Sequence, residues 1–272
     1  MGCMMAGMRP TLFRKAAGDD TPSWYLDPLV ALQKRQVHQE WIRAAVGRRP
    51  CVTVLKTDLF EDAYGDDRIF HDLFPDMRLG IGFDINAATV STAVHRGAGA
   101  FEGFVCDVRR MALPDASVDV VVSTSTLDHL ESKRDIADSL DELSRVVRPE
   151  GIVIVTLDNP RNPLYFSLKW LSRCGWTAFP LGATVSMAEL EGMLAERGFH
   201  VEKRGYLIHN PRVLSTALFL GLRRLLGRHA STPIRWLLRA FMSLGSLPLQ
   251  SFTGCFLAVS AVKHARTEEI IG

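Results

Sequence analysis

Apolar positions along the chain fall into short unbroken runs separated by segments of helical periodicity. The runs cover residues 51–55 (CVTVL), 79–85 (LGIGFDI), 101–106 (FEGFVC), 118–124 (VDVVVST) and 151–157 (GIVIVTL). Continuous rather than alternating apolarity is what a strand covered on both faces requires, so most of these read as interior strands of a largely parallel sheet. Between them the helix ends are legible. Asp27 followed by Pro28 opens a first helix that runs to about Val46. Asn86 caps a second that Gly97 closes, and Ile136, Leu140, Leu143 and Val147 recur at helical spacing before Pro149 stops another. Ser186 and Glu189 have capping-box spacing, with Gly198 placed for a left-handed end. Two late extended stretches, 200–209 and 254–262, have no parallel crossover between them and predict an antiparallel pair at one sheet edge. The fold class is therefore α/β: a Rossmann-like, doubly wound, mostly parallel sheet with an antiparallel last strand and helices on both faces.

Length and charge divide the chain unevenly. Its 272 residues suit one domain, residues 23–272, preceded by a weakly ordered start at 1–22. MGCMMAGMRP lacks a basic region followed by an apolar core, and Ala6 stands where a myristoylation signal wants Ser or Thr. The five cysteines show no CxxC or Cys/His ligand spacing, which argues against a metal site or disulfide framework and for a cytoplasmic setting. The formal net charge is +2, yet Lys203 to Arg266 contains no Asp or Glu and ten Lys or Arg, leaving the remainder at −8. An acidic partner for the C-terminal third is implied, either a phosphate-bearing ligand or a membrane surface.

Three segments carry a resemblance: IGFDINAATVSTAVHRGA, VCDVRRMALPDASVDVVVSTSTLDHL and DELSRVVRPEGIVIVTL. Together they resemble the class I S-adenosylmethionine-dependent methyltransferases, in particular the branch of ubiquinone and menaquinone biosynthesis enzymes, over roughly residues 50–205. The resemblance implies S-adenosyl-L-methionine as cofactor. Asp84, ending the second strand, can accept both ribose hydroxyl protons, with Ile85 beside it. Asp107 is placed to accept from the adenine amino group and Val108 to donate its backbone N–H to a ring nitrogen, while Cys106 and Val108 pack on the adenine faces. Ser123 and Thr124 end the fourth strand, where small polar groups line the cofactor cleft. Methyl transfer needs chiefly alignment and exclusion of water, and a base only for an acceptor that must lose a proton. His129 in TSTLDHL, with Asp128 as neighbour, is the candidate base. DNPRNPLY reads as a rigid loop on the acceptor side, with Tyr165 and Phe166 as walls.

The first strand departs from the family, which carries a Gly-x-Gly-x-Gly turn there. This chain has VLKTDLFEDAYG. Asp58 and Glu61 have the spacing of a capping box for a helix starting at Leu59. Carboxylates at a helix N-terminus oppose phosphate: at about 4 Å and an effective dielectric of about 20, each pairing costs on the order of 4 kcal/mol. Pyrophosphate cofactors are disfavoured. An amino-acid zwitterion fits better, with Asp58 for the ammonium and Lys56 or Thr57 for the carboxylate.

The last segment of interest is a basic apolar insert at about 211–250. Leu214, Leu218, Leu222 and Leu225 share a face of one helix, and after a break at STP a second mixes Arg235 and Arg239 with Trp236 and Phe241. Such helices either lie on an anionic bilayer or close over the cleft as a lid. Arginines interleaved with leucines rather than exposed aromatics argue against nucleic acid. Pro248, Gln250 and serines argue against a membrane span. The expected activity is methyl transfer to a small, apolar or lipid-like acceptor, in the cytoplasm or at the inner face of the membrane. The alternative is a cofactor-free relative that acts through the insert as a membrane- or partner-binding module.

Overall fold

The computed structural model describes residues 27–65, 69–174 and 181–265; the expectation of a weakly ordered segment at 1–22 lies outside them. In chain order, α1 (Pro28–Val46) leads into β1 (Thr53–Lys56), two short helices α2 (Phe60–Tyr64) and α3 (Ile69–Leu73), and β2 (Leu79–Asp84). Next come α4 (Ala87–Gly97), β3 (Glu102–Val105), β4 (Val118–Thr124), α5 (Lys133–Val146) and β5 (Val147–Asp158). The C-terminal part holds α6 (Pro163–Arg173), α7 (Met187–Glu196), β6 (Phe199–Leu207), α8 (Arg212–Leu226), α9 (Ser231–Ser243), α10 (Gln250–Thr253) and β7 (Phe256–Lys263).

The seven strands lie in the order β3-β2-β1-β4-β5-β7-β6. The first five are mutually parallel, while β7 runs antiparallel to both β5 and β6. Alternate side chains of each inner strand serve opposite faces. Leu55, Val121, Val153 and Val259 pack with Leu140 and Leu143 of α5 and Leu190 and Leu194 of α7. Val54, Val120, Ile154 and Ala258 pack with Ile42 of α1 and Val90 of α4. β6, at the edge, alternates buried and more exposed residues instead.

Asp27 caps α1 by accepting from the Leu29 amide, Asn86 caps α4, and Ser186 with Glu189 forms the expected capping box of α7. Two local expectations are corrected. Helix α5 ends at Val146, and Val147 enters β5 directly, so Pro149 lies inside the strand. Opposite it, Val118 pairs with Val147 and Val120 with Ile152, so β5 accommodates three extra residues at RPEG. Gly151 is required there, because a Cβ would stand 2.7 Å from Val147 Cγ1 and 2.9 Å from the Arg148 carbonyl oxygen. Helix α4 ends at Gly97 as expected, and the residue after it, Ala98, takes the left-handed conformation. The break in the insert falls at a 3-10 turn, Gly227–Ala230, and STP forms the first turn of α9.

The insert is seated on the N-terminal helix. Phe219 of α8 and Ile234 and Leu238 of α9 pack on Val30 of α1. Arg223 donates to both Asp27 carboxylate oxygens, at 2.7 and 3.1 Å, tying α8 to the cap of α1.

Candidate functional site

In an open parallel sheet the ligand crevice forms at the carboxyl ends of the strands, where the order reverses. Here that point lies between β1 and β4. Thr57, just past β1, donates its hydroxyl to Ser123 Oγ at 2.9 Å, and its Oγ1 lies 2.8 Å from Thr126 Oγ1. The neighbouring Ser125 holds positive φ, and its Oγ is buried without a hydrogen-bond partner. A cluster of small hydroxyls thus lines the switch point.

Asp84 stands one strand further, at the end of β2. Its carboxylate accepts from the Asn86 amide at 2.8 Å and the Leu59 amide at 3.4 Å. Burial pushes its carboxyl above the ordinary range and nearby Asp58 adds to this, with the two amides opposing. Ile85 beside it is 72% exposed, and Val105 at the end of β3 is also exposed. Apolar side chains left bare next to a half-buried carboxylate suit the flat face and the ribose hydroxyls of a nucleoside.

Asp107 is committed to Arg109, whose guanidinium donates to both its oxygens and to Asp135 Oδ1 at 2.8 Å. That guanidinium holds the Asp107 carboxyl below its usual range. Cys106 is partly buried and Val108 is buried in the core beneath this loop.

The turn after β1 departs from the expected cap. Asp58 does accept from the Phe60 amide at 2.9 Å, but α2 begins at Phe60 and Glu61 bonds Lys34 of α1 instead of closing a box. Lys56 is 2% exposed. Its ammonium donates to the Asp58 carbonyl and to Asp62 Oδ2, the latter at 2.6 Å. It braces the turn from beneath and is not presented to the crevice. Leu59, fully buried, sits over Gly82 of β2, where a Cβ would come within 2.6 Å of Leu59 Cδ2.

Beside the switch point, between α6 and α8, lies a cleft of about 260 Å³. Leu164, Leu168 and Leu171 of α6 and Leu214 of α8 supply apolar walls, and Asp158, Arg212, Tyr165 and Cys255 line it too, with Asn162 and Ser167. Arg212 donates to Asp158 Oδ1 and lies 4.1 Å over the Phe256 ring. The Asp158 amide donates to Asp128 Oδ2 at 2.9 Å, while Asp128 Oδ1 is buried without a hydrogen-bond partner. Burial first, and the Asp158 charge second, push the Asp128 carboxyl up to about 7. The same two influences raise the Tyr165 phenol to about 12.

The DNPRNPLY loop is rigid for a visible reason. Asn159 Nδ2 donates to the carbonyls of Ser251 and Gly254, and Asn162 Nδ2 to those of Thr253 and Gly254. Tyr165 lines the cleft as expected, whereas Phe166 points away from it and is exposed. His129 is the exposed residue of an otherwise buried 3-10 turn after β4, Leu127–His129, and does not line the cleft. Of the insert, Arg212 and Leu214, at the start of α8, reach the cleft.

Sequence reading missed Thr126, Ser125, Asp158, Arg212 and Cys255. Asp158 carried a signal, since it ends the fifth strand as Asp84 ends the second. Among the described residues no group of three or more His, Cys, Asp or Glu could hold a metal, and no helix is long and apolar enough to cross a membrane.

Comparison with known proteins agrees with this geometry. Residues 64–155 match the family model of a methyltransferase domain. A probable S-adenosylmethionine-dependent methyltransferase of Mycolicibacterium smegmatis is 30% identical over 179 residues, which make up 60% of this chain and 56% of that protein. The chain thus spans little more than half the length of this curated relative. The N-methyltransferase NodS of Bradyrhizobium japonicum, crystallised with S-adenosyl-L-homocysteine, superposes with TM-score 0.56 at 12% identity, covering 90% of this chain and 93% of that one. An S-adenosylmethionine-dependent methyltransferase of Mesorhizobium loti gives 0.55 at 15% identity, over 84% of this chain and 100% of that one. The [4+2]-cyclase SpnF gives 0.54 at 14%, over 84% and 80%. These structural likenesses establish the fold. Residues 64–155 are thus similar to a methyltransferase domain, and the chain has the fold shared by class I S-adenosylmethionine-dependent methyltransferases.

Proposed function

We propose that this protein transfers a methyl group from S-adenosyl-L-methionine to a small apolar or lipid-like acceptor held in the cleft between α6 and α8. The observation that carries the reading is one of placement. A half-buried carboxylate flanked by bare apolar residues and a hydroxyl-lined switch point stand on the same sheet edge as a leucine-walled cleft.

Asp84 would accept from the ribose hydroxyls, with Ile85, Val105 and Cys106 against the adenine and the Val108 amide and Asp107 at its edge. Thr57, Asp58, Ser123 and Thr124 would meet the amino-acid end, joined by Ser125 and Thr126. Lys56 is reassigned from ligand to support, because its ammonium is held by Asp62 and the Asp58 carbonyl. When bound, S-adenosylmethionine supplies an electrophilic methyl group on a sulfonium. The cleft residues hold the acceptor, exclude water and align it, which is the main requirement of such a displacement. For an acceptor that must lose a proton, Asp158 is the carboxylate on the cleft wall, backed by Asp128; His129 stands outside the lining. A quinone-type acceptor of the ubiquinone or menaquinone kind belongs to the apolar class that these walls suit.

Isothermal titration with S-adenosylmethionine and S-adenosylhomocysteine tests the reading, with Asp84→Ala as control. Binding is expected for the native chain and at least a hundredfold weaker binding for the variant, since two charge-assisted hydrogen bonds to the ribose are lost. Absence of binding at millimolar ligand would leave a methyltransferase fold acting as a binding module.

A further inference from the structure

Bare apolar side chains are concentrated on one part of the molecule. Of the seventeen exposed large hydrophobics among the described residues, twelve lie between Leu164 and Phe252, in the helices around the cleft and the turns joining them. Two of the twelve, Leu164 on α6 and Leu214 on α8, also line the cleft, so its mouth opens among them. On α8, Leu214, Leu218 and Leu225 recur at spacings of four and seven and form an outward stripe, Leu225 being 83% exposed. The inward stripe of the same helix, with Phe219 and Leu222, is already packed on α1 and α9. The outward leucines are therefore not needed by the core of this chain.

The segment that carries nine of these twelve side chains bears charge of one sign. No Asp or Glu occurs between Lys203 and Arg266. Within that segment Arg204 pairs with Glu191, Arg212 with Asp158 and Arg223 with Asp27. Arg224 in the last turn of α8, Arg228 in the 3-10 turn after it, and Arg235 and Arg239 on α9 with the 71%-exposed Trp236, remain at the surface. Leucine, tryptophan and arginine together, with no carboxylate among them, complement a layer that is apolar within and anionic at its surface. A second protein copy would face the same arginines with its own.

We propose that this face docks on an anionic lipid bilayer, and that the cleft takes its acceptor directly from the lipid phase through the mouth between Leu164 and Leu214. The inference rests on the reading of the cleft as the acceptor site, but docking itself requires neither cofactor nor turnover.

The test is co-sedimentation of the full chain with vesicles of phosphatidylcholine alone and of phosphatidylcholine with 30% phosphatidylglycerol. Sedimentation is expected with the anionic vesicles and lost at high salt. Arg224→Gln combined with Arg228→Gln should weaken it about thirtyfold, each arginine near such a surface giving about a fivefold preference. Leu225→Glu should weaken it tenfold or more, and because that side chain is exposed the variant should fold. Titration with S-adenosylmethionine should give native affinity for all three substitutions. Loss of vesicle binding with native cofactor affinity thus separates docking from the methyltransferase reading. Equal sedimentation with and without vesicles, or unchanged binding by the variants, would overturn the proposal. So would a dimer in analytical ultracentrifugation that Leu225→Glu converts to monomer.

Discussion

Replacing Lys56 by Met should destabilise the protein by about 3–5 kcal/mol, because it removes the cation from a buried pair. The ammonium and Asp62 Oδ2 are 2.6 Å apart, with the two side chains only 3% and 4% exposed. At that separation and an effective dielectric of about 20 their attraction is roughly 6 kcal/mol, offset by the desolvation of both ions. Losing one partner leaves the other's desolvation largely uncompensated. Replacing both, as Lys56→Met with Asp62→Leu, removes attraction and penalty together and should return stability to within about 1 kcal/mol of the native chain. The coupling in the double-mutant cycle is then about 3 kcal/mol or more.

Urea unfolding followed by tryptophan fluorescence measures this. With m of about 3 kcal/mol/M, the single variant's midpoint falls by about 1 M or more and the double variant's recovers. A single variant as stable as the native chain, or a double variant no better than the single, would refute the assignment of Lys56 as structural support. Cofactor titration of the double variant gives an independent check. Native stability with lost binding would return Lys56 to the ligand set.

Two further effects follow from local geometry. The folded chain holds the Asp128 proton more tightly than the unfolded chain, so the stability this gives is complete below about pH 4 and is lost as pH rises to about 7. The loss is on the order of 4 kcal/mol at most, and Asp128→Asn should abolish this part of the pH dependence in calorimetric melts from pH 4 to 8. Glu150, exposed and held at φ 63°, should gain about 1 kcal/mol on replacement by Gly, seen as a raised thermal midpoint.

What was legible in the sequence was whatever one segment decides for itself. VDVVVST is β4 residue for residue, and the Ser186–Glu189 cap formed as its spacing required. Val147 was misread because it satisfies both the helical repeat before it and the strand after it. The Arg148–Asp119 pair that marks the strand comes from β4, whereas the crowding at Gly151 comes mainly from Val147 and the Arg148 carbonyl within β5 itself. Glu61 was misread for a similar reason: a cap offers it one backbone amide, and Lys34 of α1 offers a cation. Asp158 and Arg212 are 54 positions apart in sequence, and only the sheet brings them together.

Two of the segments that carried the family resemblance meet in contacts that are architecture. Arg145, in the SRVVRPEG stretch, donates to the carbonyls of Met111 and Leu113 and to Asp115 Oδ1, all in the MALPD segment. The two stretches recognise each other, and the loop they fasten carries β3 into β4. Their presence speaks for the fold and leaves the cofactor question to the turn after β1.

In that turn the family's glycines give the backbone freedom to approach a ligand. Here the close approach is between Leu59 and β2, and the glycine it needs is Gly82, on the neighbouring strand. Leu59 fills that space with apolar bulk, while its amide reaches the Asp84 carboxylate and Lys56 secures the turn from below. A turn so packed has little room to move its backbone toward a ligand. In the proposed reading, recognition of the amino-acid end would therefore fall to side chains, namely the Asp58 carboxylate and the Thr57, Ser123 and Thr126 hydroxyls. That is why cofactor titration of the Lys56→Met, Asp62→Leu variant, rather than the missing glycines, decides whether Lys56 belongs to the ligand set or only supports the turn.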